Sequence, residues 1–119
     1  MKFETIQKNA RHASTLLKAM SNPHRLLILS QLTHGERCVS ELESIVGLSQ
    51  SALSQHLARL RRDKVVKTRR AAQTIYYSLA GGDVEAVIDT LYGLYDQPHA
   101  SVSRALAATG TSPKVVPAT

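Results

Sequence analysis

The sequence contains a single cysteine, Cys38, among its 119 residues. One thiol excludes an intrachain disulfide and a multi-cysteine zinc site within one chain. No apolar run approaches the roughly 20 residues that a membrane span needs. The first residues, Met1 to Thr5, also lack the apolar stretch of a secretory signal. We therefore expect a single domain that resides in the cytoplasm and has no membrane partner.

The signatures of enzymes are missing as well. There is no glycine-rich phosphate loop, the five histidines are scattered, and no serine, cysteine or lysine has a recognisable catalytic partner. The sequence therefore predicts a protein that is not an enzyme and that needs no cofactor or metal.

Acidic residues are few, and the formal net charge is +6. Seven basic residues lie between Arg59 and Arg70, opposed only by Asp63, and this local excess equals the net charge of the whole chain. A charge run is often only a solvated surface. A membrane-binding element would carry an exposed apolar face beside the charge. The position of this run beside the motif described next favours nucleic acid as the partner.

Two short helical patterns are separated by a three-residue break. The first runs from about Ser40 to Val46, and the second runs from Gln50 to about Arg62. Gly47 suits the left-handed end of the first helix, and Ser49 suits the N-cap of the second. A helix, a glycine-containing turn and a second helix at this spacing indicate a helix-turn-helix.

Two further helices precede this pair. Apolar residues three or four apart predict a helix from about Ile6 to Met20, and Pro23 favours the start of a second helix, His24 to about Leu32. The second is apolar on nearly every side, so we expect it at the centre of the core. A last helix is expected to be capped by Asp83 and to end at Pro98.

Between these helices the apolar period changes to that of strands. Val65 to Arg69 and Thr74 to Leu79 predict a hairpin with its tip at Arg70 to Gln73. The expected fold class is mainly α with a small β-hairpin, a winged helix-turn-helix over residues 1–97. Residues 98–119 are rich in Ala, Ser, Thr and Pro and are expected to form a disordered tail.

The second helix of the motif is the predicted reader of double-stranded DNA. Leu53, Leu57 and Leu60 define its buried side, so small polar residues occupy the opposite face near its start. Gln pairs bidentately with adenine, and Ser bonds to bases or phosphates. Because the first turns of a recognition helix usually reach the bases, the candidate base readers are Gln50, Ser51, Ser54 and Gln55.

Other residues are predicted to contact the DNA backbone. Basic side chains later on the same helix lie farther from the bases, and the hairpin would act as a wing along a phosphate strand. The candidate backbone contacts are Arg59, Arg62, Lys67, Arg69, Arg70, Gln73 and Thr74. His56 is expected to be packed or bonded to the backbone rather than to read bases. The alternating tyrosines of the hairpin, Tyr76 and Tyr77, are expected to be core on one face of the strand and surface on the other, rather than to stack on bases.

Four segments together resemble the ArsR/SmtB family, and within it the NolR- and HlyU-like subgroup. They are LLKAMSNPHRLLIL from Leu16, GLSQSALSQHL from Gly47, TRR from Thr68 and QTIYY from Gln73. The resemblance covers about Leu16 to Tyr95. It implies a homodimer built from the first and last helices, a winged helix-turn-helix, and operator binding at promoters. We expect two copies of the helix from Gln50 to read an imperfect palindrome and to repress transcription by occluding polymerase, although relatives also activate.

The sequence departs from the patterns of the family's sensors. Cys-x-Cys of many metal sensors is here Cys38-Val39-Ser40, and the second cysteine of the sulfur-responsive relatives is missing. Zinc sensors place Asp-x-His and His-x-x-His or Glu on the last helix, where this chain has Asp83-x-Glu85 and Asp96-x-x-His99. Two readings therefore stay open beside that of a regulator without an effector: a redox or sulfur sensor through Cys38, and a metal sensor.

Overall fold

The computed structural model describes residues 2–96. The predicted tail and Pro98 lie outside these residues. Within residues 2–96, no helix combines the length and the apolar character that crossing a bilayer requires. The chain forms these helices and strands: α1 (Phe3–Met20), α2 (Pro23–Leu32), β1 (Arg37–Cys38), α3 (Val39–Val46), α4 (Gln50–Arg62), β2 (Val66–Ala71), β3 (Thr74–Leu79) and α5 (Gly82–Tyr95).

The helix boundaries follow from local capping. The Asn22 side chain accepts hydrogen bonds from the backbone N–H groups of His24 (2.9 Å) and Arg25 (3.1 Å), which begins α2 at Pro23. Gly47 ends α3 with a left-handed φ of 76°. Ser49 then accepts the N–H of Ala52 at 3.2 Å and caps α4. The predicted helix-turn-helix is confirmed, with both caps where the sequence placed them.

The core lies between α2 and the elements around it. Ile28 and Leu29 of α2 are completely buried, and α2 contacts α1, α3, α4, α5 and β3. The central position predicted for α2 is confirmed, although Leu27 is 45% exposed. The other buried apolar residues are Leu16, Ala19, Met20, Leu32, Leu42, Leu53, Leu57, Leu60, Val65, Val66, Val84 and Ile88.

Within residues 2–96, the sheet has three antiparallel strands in the order β1-β3-β2 rather than the two expected from the sequence. The additional strand, β1, has only two residues, which is too short for an alternating pattern to show. The hairpin tip is also tighter than expected: Ala71 pairs with Thr74, so the turn consists of Ala72 and Gln73.

The start of α5 differs from the expectation that Asp83 caps it. The N-cap is Gly81, which makes no side-chain capping bond. Asp83 lies inside the helix, where its carboxylate accepts the N–H of Val84 at 2.9 Å and the ring N–H of His12 of α1 at 3.1 Å. This contact with His12 lowers the pKa of the Asp83 carboxyl group. The helix ends at Tyr95, before Pro98.

Candidate nucleic-acid interface

The first two turns of α4 present a polar surface to solvent. Leu53, Leu57 and Leu60 are at most 1% exposed and hold the opposite side of the helix in the core. All four candidate base readers are exposed as a result: Gln50, Ser51, Ser54 and Gln55. Their small or flexible side chains leave this end of α4 able to approach a groove closely. Contact with bases stays a prediction.

One flank of α4 faces the sheet across an open cavity of about 490 Å³. Ser54, Arg61 and Tyr77 are among its lining residues. Arg61 is exposed and lies two helical turns after Ser54 on this flank. Arg61 is not among the contacts predicted from the sequence. Its i, i+7 spacing from Ser54 was the signal that could have included it.

The opposite flank of α4 contains an ion pair that involves a predicted phosphate contact. Nε of Arg59 lies 2.8 Å from Oδ2 of Asp63, one turn later, and the carboxylate is only 17% exposed. Arg62 lies 3.9 Å from the same carboxylate and is itself 70% exposed. Arg62 is therefore more available to a phosphate than Arg59.

His56 lies on the same flank as Arg59 and is partly buried, as expected for a packed residue. Its ring centroid is 5.7 Å from that of His24 at the start of α2. Burial, followed by the nearby charges of Arg25 and His24, lowers the pKa of His56.

The register of the hairpin places its two arginines on opposite faces. Directly paired residues of antiparallel strands share a face, and Arg70 pairs with Ile75 while Arg69 pairs with Tyr76. Tyr77, which packs against the core, lies on the face of Arg70. Arg70 therefore projects on the side of the sheet toward α4, and Arg69 projects on the far side.

The two arginines also differ in their partners. Nε of Arg69 lies 2.9 Å and 2.7 Å from the two carboxylate oxygens of Glu36, and its guanidinium lies 4.5 Å from the centroid of the Tyr76 ring. The hydrogen bonds that Arg69 donates lower the pKa of the Glu36 carboxyl group. By contrast, the exposed side chain of Arg70 has no hydrogen-bond or ion-pair partner within residues 2–96. Lys67, Gln73 and Thr74 are exposed on the hairpin as well.

Cys38 lies where β1 meets α3 and is partly exposed rather than fully buried. Its backbone N–H donates to Oε1 of Glu41 at 3.0 Å, and its Sγ lies 3.2 Å from Oγ of Ser40. His99, the last residue of the zinc-sensor pattern, lies outside the described residues. Among residues 2–96, no three His, Cys, Asp or Glu side chains come together in an arrangement that could hold a metal ion.

An apolar stripe runs along the exposed side of α1, at alternating spacings of three and four residues. Phe3, Ile6 and Leu17 are 75%, 50% and 56% exposed. This spacing is typical of a helix that packs against another helix. The stripe consists of Phe3, Ile6, Ala10, Ala13 and Leu17.

Comparison with known proteins finds sequence similarity to bacterial transcriptional regulators. A family model described as bacterial regulatory protein, arsR family, matches residues 22–68. The transcriptional activator HlyU of Vibrio cholerae is 52% identical over 97 residues, which are 82% of this chain and 90% of that protein. The nodulation protein NolR of Rhizobium meliloti is 50% identical over 88 residues, 74% of this chain and 72% of that protein.

A solved structure extends the comparison to the fold. The transcriptional repressor BigR of Xylella fastidiosa superimposes with a TM-score of 0.75 at 37% identity, covering 80% of this chain and 97% of that one. The structural neighbours are winged helix-turn-helix regulators, so α3 and α4 form the helix-turn-helix and β2 and β3 form the wing.

Proposed function

This chain belongs to the ArsR family of bacterial transcriptional regulators, and from that premise we propose that it is a homodimeric repressor that binds a palindromic operator in double-stranded DNA. One observation carries the proposal. The exposed polar end of α4, anchored from behind by three buried leucines, lies on the same side as Arg70 of the wing, whose side chain has no partner among residues 2–96. A helix for the major groove and a cation for the backbone are the two elements that operator binding needs.

The proposed division of labour follows the chemistry of these side chains. Gln50 and Gln55 read bases, and Ser51 and Ser54 bond to bases or phosphates. Arg62, Arg70, Gln73 and Thr74 hold the phosphate backbone, with smaller contributions from Arg59, Lys67 and Arg69. We add Arg61, because it lies beside Ser54 on the flank of α4 that faces the wing.

Repression is a simpler mechanism than activation, because a dimer bound at a promoter hinders RNA polymerase without contacting any other protein. Relatives carry both descriptions: HlyU is named an activator, and BigR is named a repressor. The family consists of DNA-binding regulators rather than enzymes, in agreement with the absence of catalytic signatures from the sequence. We propose residues 1–97 as one DNA-binding and dimerisation domain, acting in the cytoplasm.

Dimerisation is supported by the apolar stripe of α1. Thirteen consecutive residues at the start of this helix, Phe3 to Thr15, are exposed in a single copy. Exposed apolar surface of this kind marks an interaction site, and a second α1 offers a matching stripe. Leu94 and Tyr95 at the end of α5 are exposed as well, which suits a dimer formed by the first and last helices.

Substitution of the wing arginines separates their contributions to backbone binding. Arg70→Ala should flatten the dependence of log K on log salt by about 0.9 per protomer, because one phosphate contact is lost. Arg69→Ala should flatten it by less than half as much, since Glu36 already neutralises that guanidinium. The double variant should weaken binding to operator and to random DNA alike. Fluorescence anisotropy of a random duplex between about 50 and 200 mM salt measures these slopes.

Arg11→Ala is the matched control, because Arg11 is an exposed cation of α1, a helix for which no DNA contact is proposed. Its slope should equal that of the wild type. An Arg69→Ala effect as large as that of Arg70→Ala would contradict the proposed difference, and unchanged slopes in both variants would remove the wing from the interface.

A second candidate function, redox sensing, is favoured by the partly exposed thiol of Cys38 at the start of α3, next to the helix-turn-helix. Peroxide converts a thiolate to sulfenic acid, which would add a polar oxygen beside Ser40. Under this candidate, peroxide lowers the operator affinity of the wild type and leaves that of Cys38→Ser unchanged. Equal affinity of reduced and oxidised wild type would exclude Cys38 as the switch.

A further inference from the structure

The Glu36–Arg69 pair lies on the face of the wing that is directed away from α4. Glu36 immediately precedes β1, while Arg69 lies on β2, with β3 between the two strands. The carboxylate reaches across β3 and receives the Nε–H of Arg69 on both of its oxygens. The ring of Tyr76 supports the guanidinium from below at 4.5 Å. The chain thus holds the arginine with an anion and an aromatic ring.

This pair is open to an approaching polyanion. The side chains of Arg69 and Glu36 are 55% and 37% exposed, so both charges are accessible to a polyanion that contacts the wing. A carboxylate and a phosphate both offer oxygen acceptors that match a guanidinium. Glu36 therefore gives Arg69, from within the protein, the kind of oxygen acceptor that a DNA phosphate would offer.

We propose that Glu36 acts as an internal phosphate mimic, which competes with the DNA backbone for Arg69 and so limits the affinity of this protein for DNA. The inference rests on the proposed function. Because phosphates carry no sequence information, Glu36 lowers the affinity for operator and for random DNA by the same factor and leaves their ratio unchanged.

The test is Glu36→Gln, which keeps an acceptor for Nε–H but removes the competing charge. The salt slope for a random duplex should become steeper by up to about 0.9 per protomer, or up to about 1.8 for a dimer, as the partial phosphate contact of Arg69 becomes a full one. The double variant Glu36→Gln, Arg69→Ala should have the same salt slope as the single variant Arg69→Ala, because the residue that would gain the phosphate is missing from both. Thermal unfolding of each variant verifies that the fold is retained.

Glu85→Gln provides the matched control for charge alone. Glu85 is exposed and lines the same open groove as Glu36, but it forms no ion pair with Arg69. A slope change confined to Glu36→Gln supports the competition. An equal change in Glu85→Gln would overturn it in favour of general charge repulsion.

The remaining outcomes separate this inference from the function on which it rests. If the wild type binds DNA and Glu36→Gln has the same salt slope as the wild type, the competition is overturned, but the proposed function as a DNA-binding regulator stands. Weaker binding by Glu36→Gln would also overturn it, since Glu36 would then orient Arg69 for DNA. Wild-type protein that binds no duplex DNA at any salt concentration would refute the proposed function itself.

Discussion

Leu17→Glu should dissociate the protein into monomers and lower its operator affinity by roughly 10²–10⁴-fold. Leu17 is 56% exposed in a single copy, so a glutamate at this position does not disturb the core of the monomer. In a dimer formed along the apolar stripe of α1, the same substitution buries two unpaired carboxylates. The loss of affinity follows because two linked recognition helices gain an avidity of that order over one. Sedimentation velocity and operator titration measure the two effects.

Thr15→Glu is the control for Leu17→Glu. Thr15 is exposed on α1 but lies about half a turn away from the stripe at 100° per residue. It should leave both the sedimentation coefficient and the operator affinity unchanged. If Leu17→Glu remained dimeric, the stripe would not be the interface. If it became monomeric yet bound the operator with full affinity, pairing would not be needed for recognition.

Gln50→Ala should reduce the preference for operator over random DNA by about 1–3 kcal/mol per half-site. A dimer meets two half-sites, so the loss applies twice. The effect is expected on the ratio of affinities, because a glutamine that pairs with adenine N6 and N7 makes no such bond to other bases. Gln50 is exposed at the start of α4, and its truncation leaves the three buried leucines in place.

Gln73→Ala is the paired control for Gln50→Ala. It removes the same side chain from the tip of the wing, where only backbone contact is proposed. It should weaken operator and random DNA by equal factors and preserve their ratio. An unchanged ratio for Gln50→Ala would show that Gln50 is not a base reader, whatever the change in absolute affinity.

The helices were predictable from sequence because their signals are local. The spacing of Leu53, Leu57 and Leu60 and the caps at Gly47 and Ser49 lie within a few residues of one another. The exposure of the reading surface of α4 follows directly from that spacing. Strand β1 gave no such signal, because two residues become a strand only by pairing with a partner almost 40 residues later in the chain.

The different faces and partners of Arg69 and Arg70 could not be predicted from their positions in the sequence. Adjacent residues of a strand point to opposite faces, but only the register shows which face is directed toward α4. Glu36 is 33 residues from Arg69, and their ion pair depends on the packing of β1 against β3. Two neighbouring arginines of equal charge therefore acquire different partners and lie on different faces through tertiary contacts.

The apolar spacing that predicted the first helix, at three or four residues, places these residues on one face and illustrates a second limit. Its periodicity is correct, but the face divides into two parts in the structure. Leu16 and Met20 are buried in the core, whereas Ile6 and Leu17 are exposed. Hydrophobic spacing shows that a face must be covered and does not distinguish between coverage by the same chain and coverage by another copy.

The most direct test of operator recognition is the selection of genomic fragments by the purified, reduced protein at moderate salt. The selected fragments should share an imperfect palindrome, with half-site centres about 10–10.5 base pairs, or a multiple of that spacing, apart. A Gln50→Ala, Gln55→Ala double variant should fail to enrich this palindrome. Fragments retained without any shared sequence would contradict sequence-specific regulation by α4.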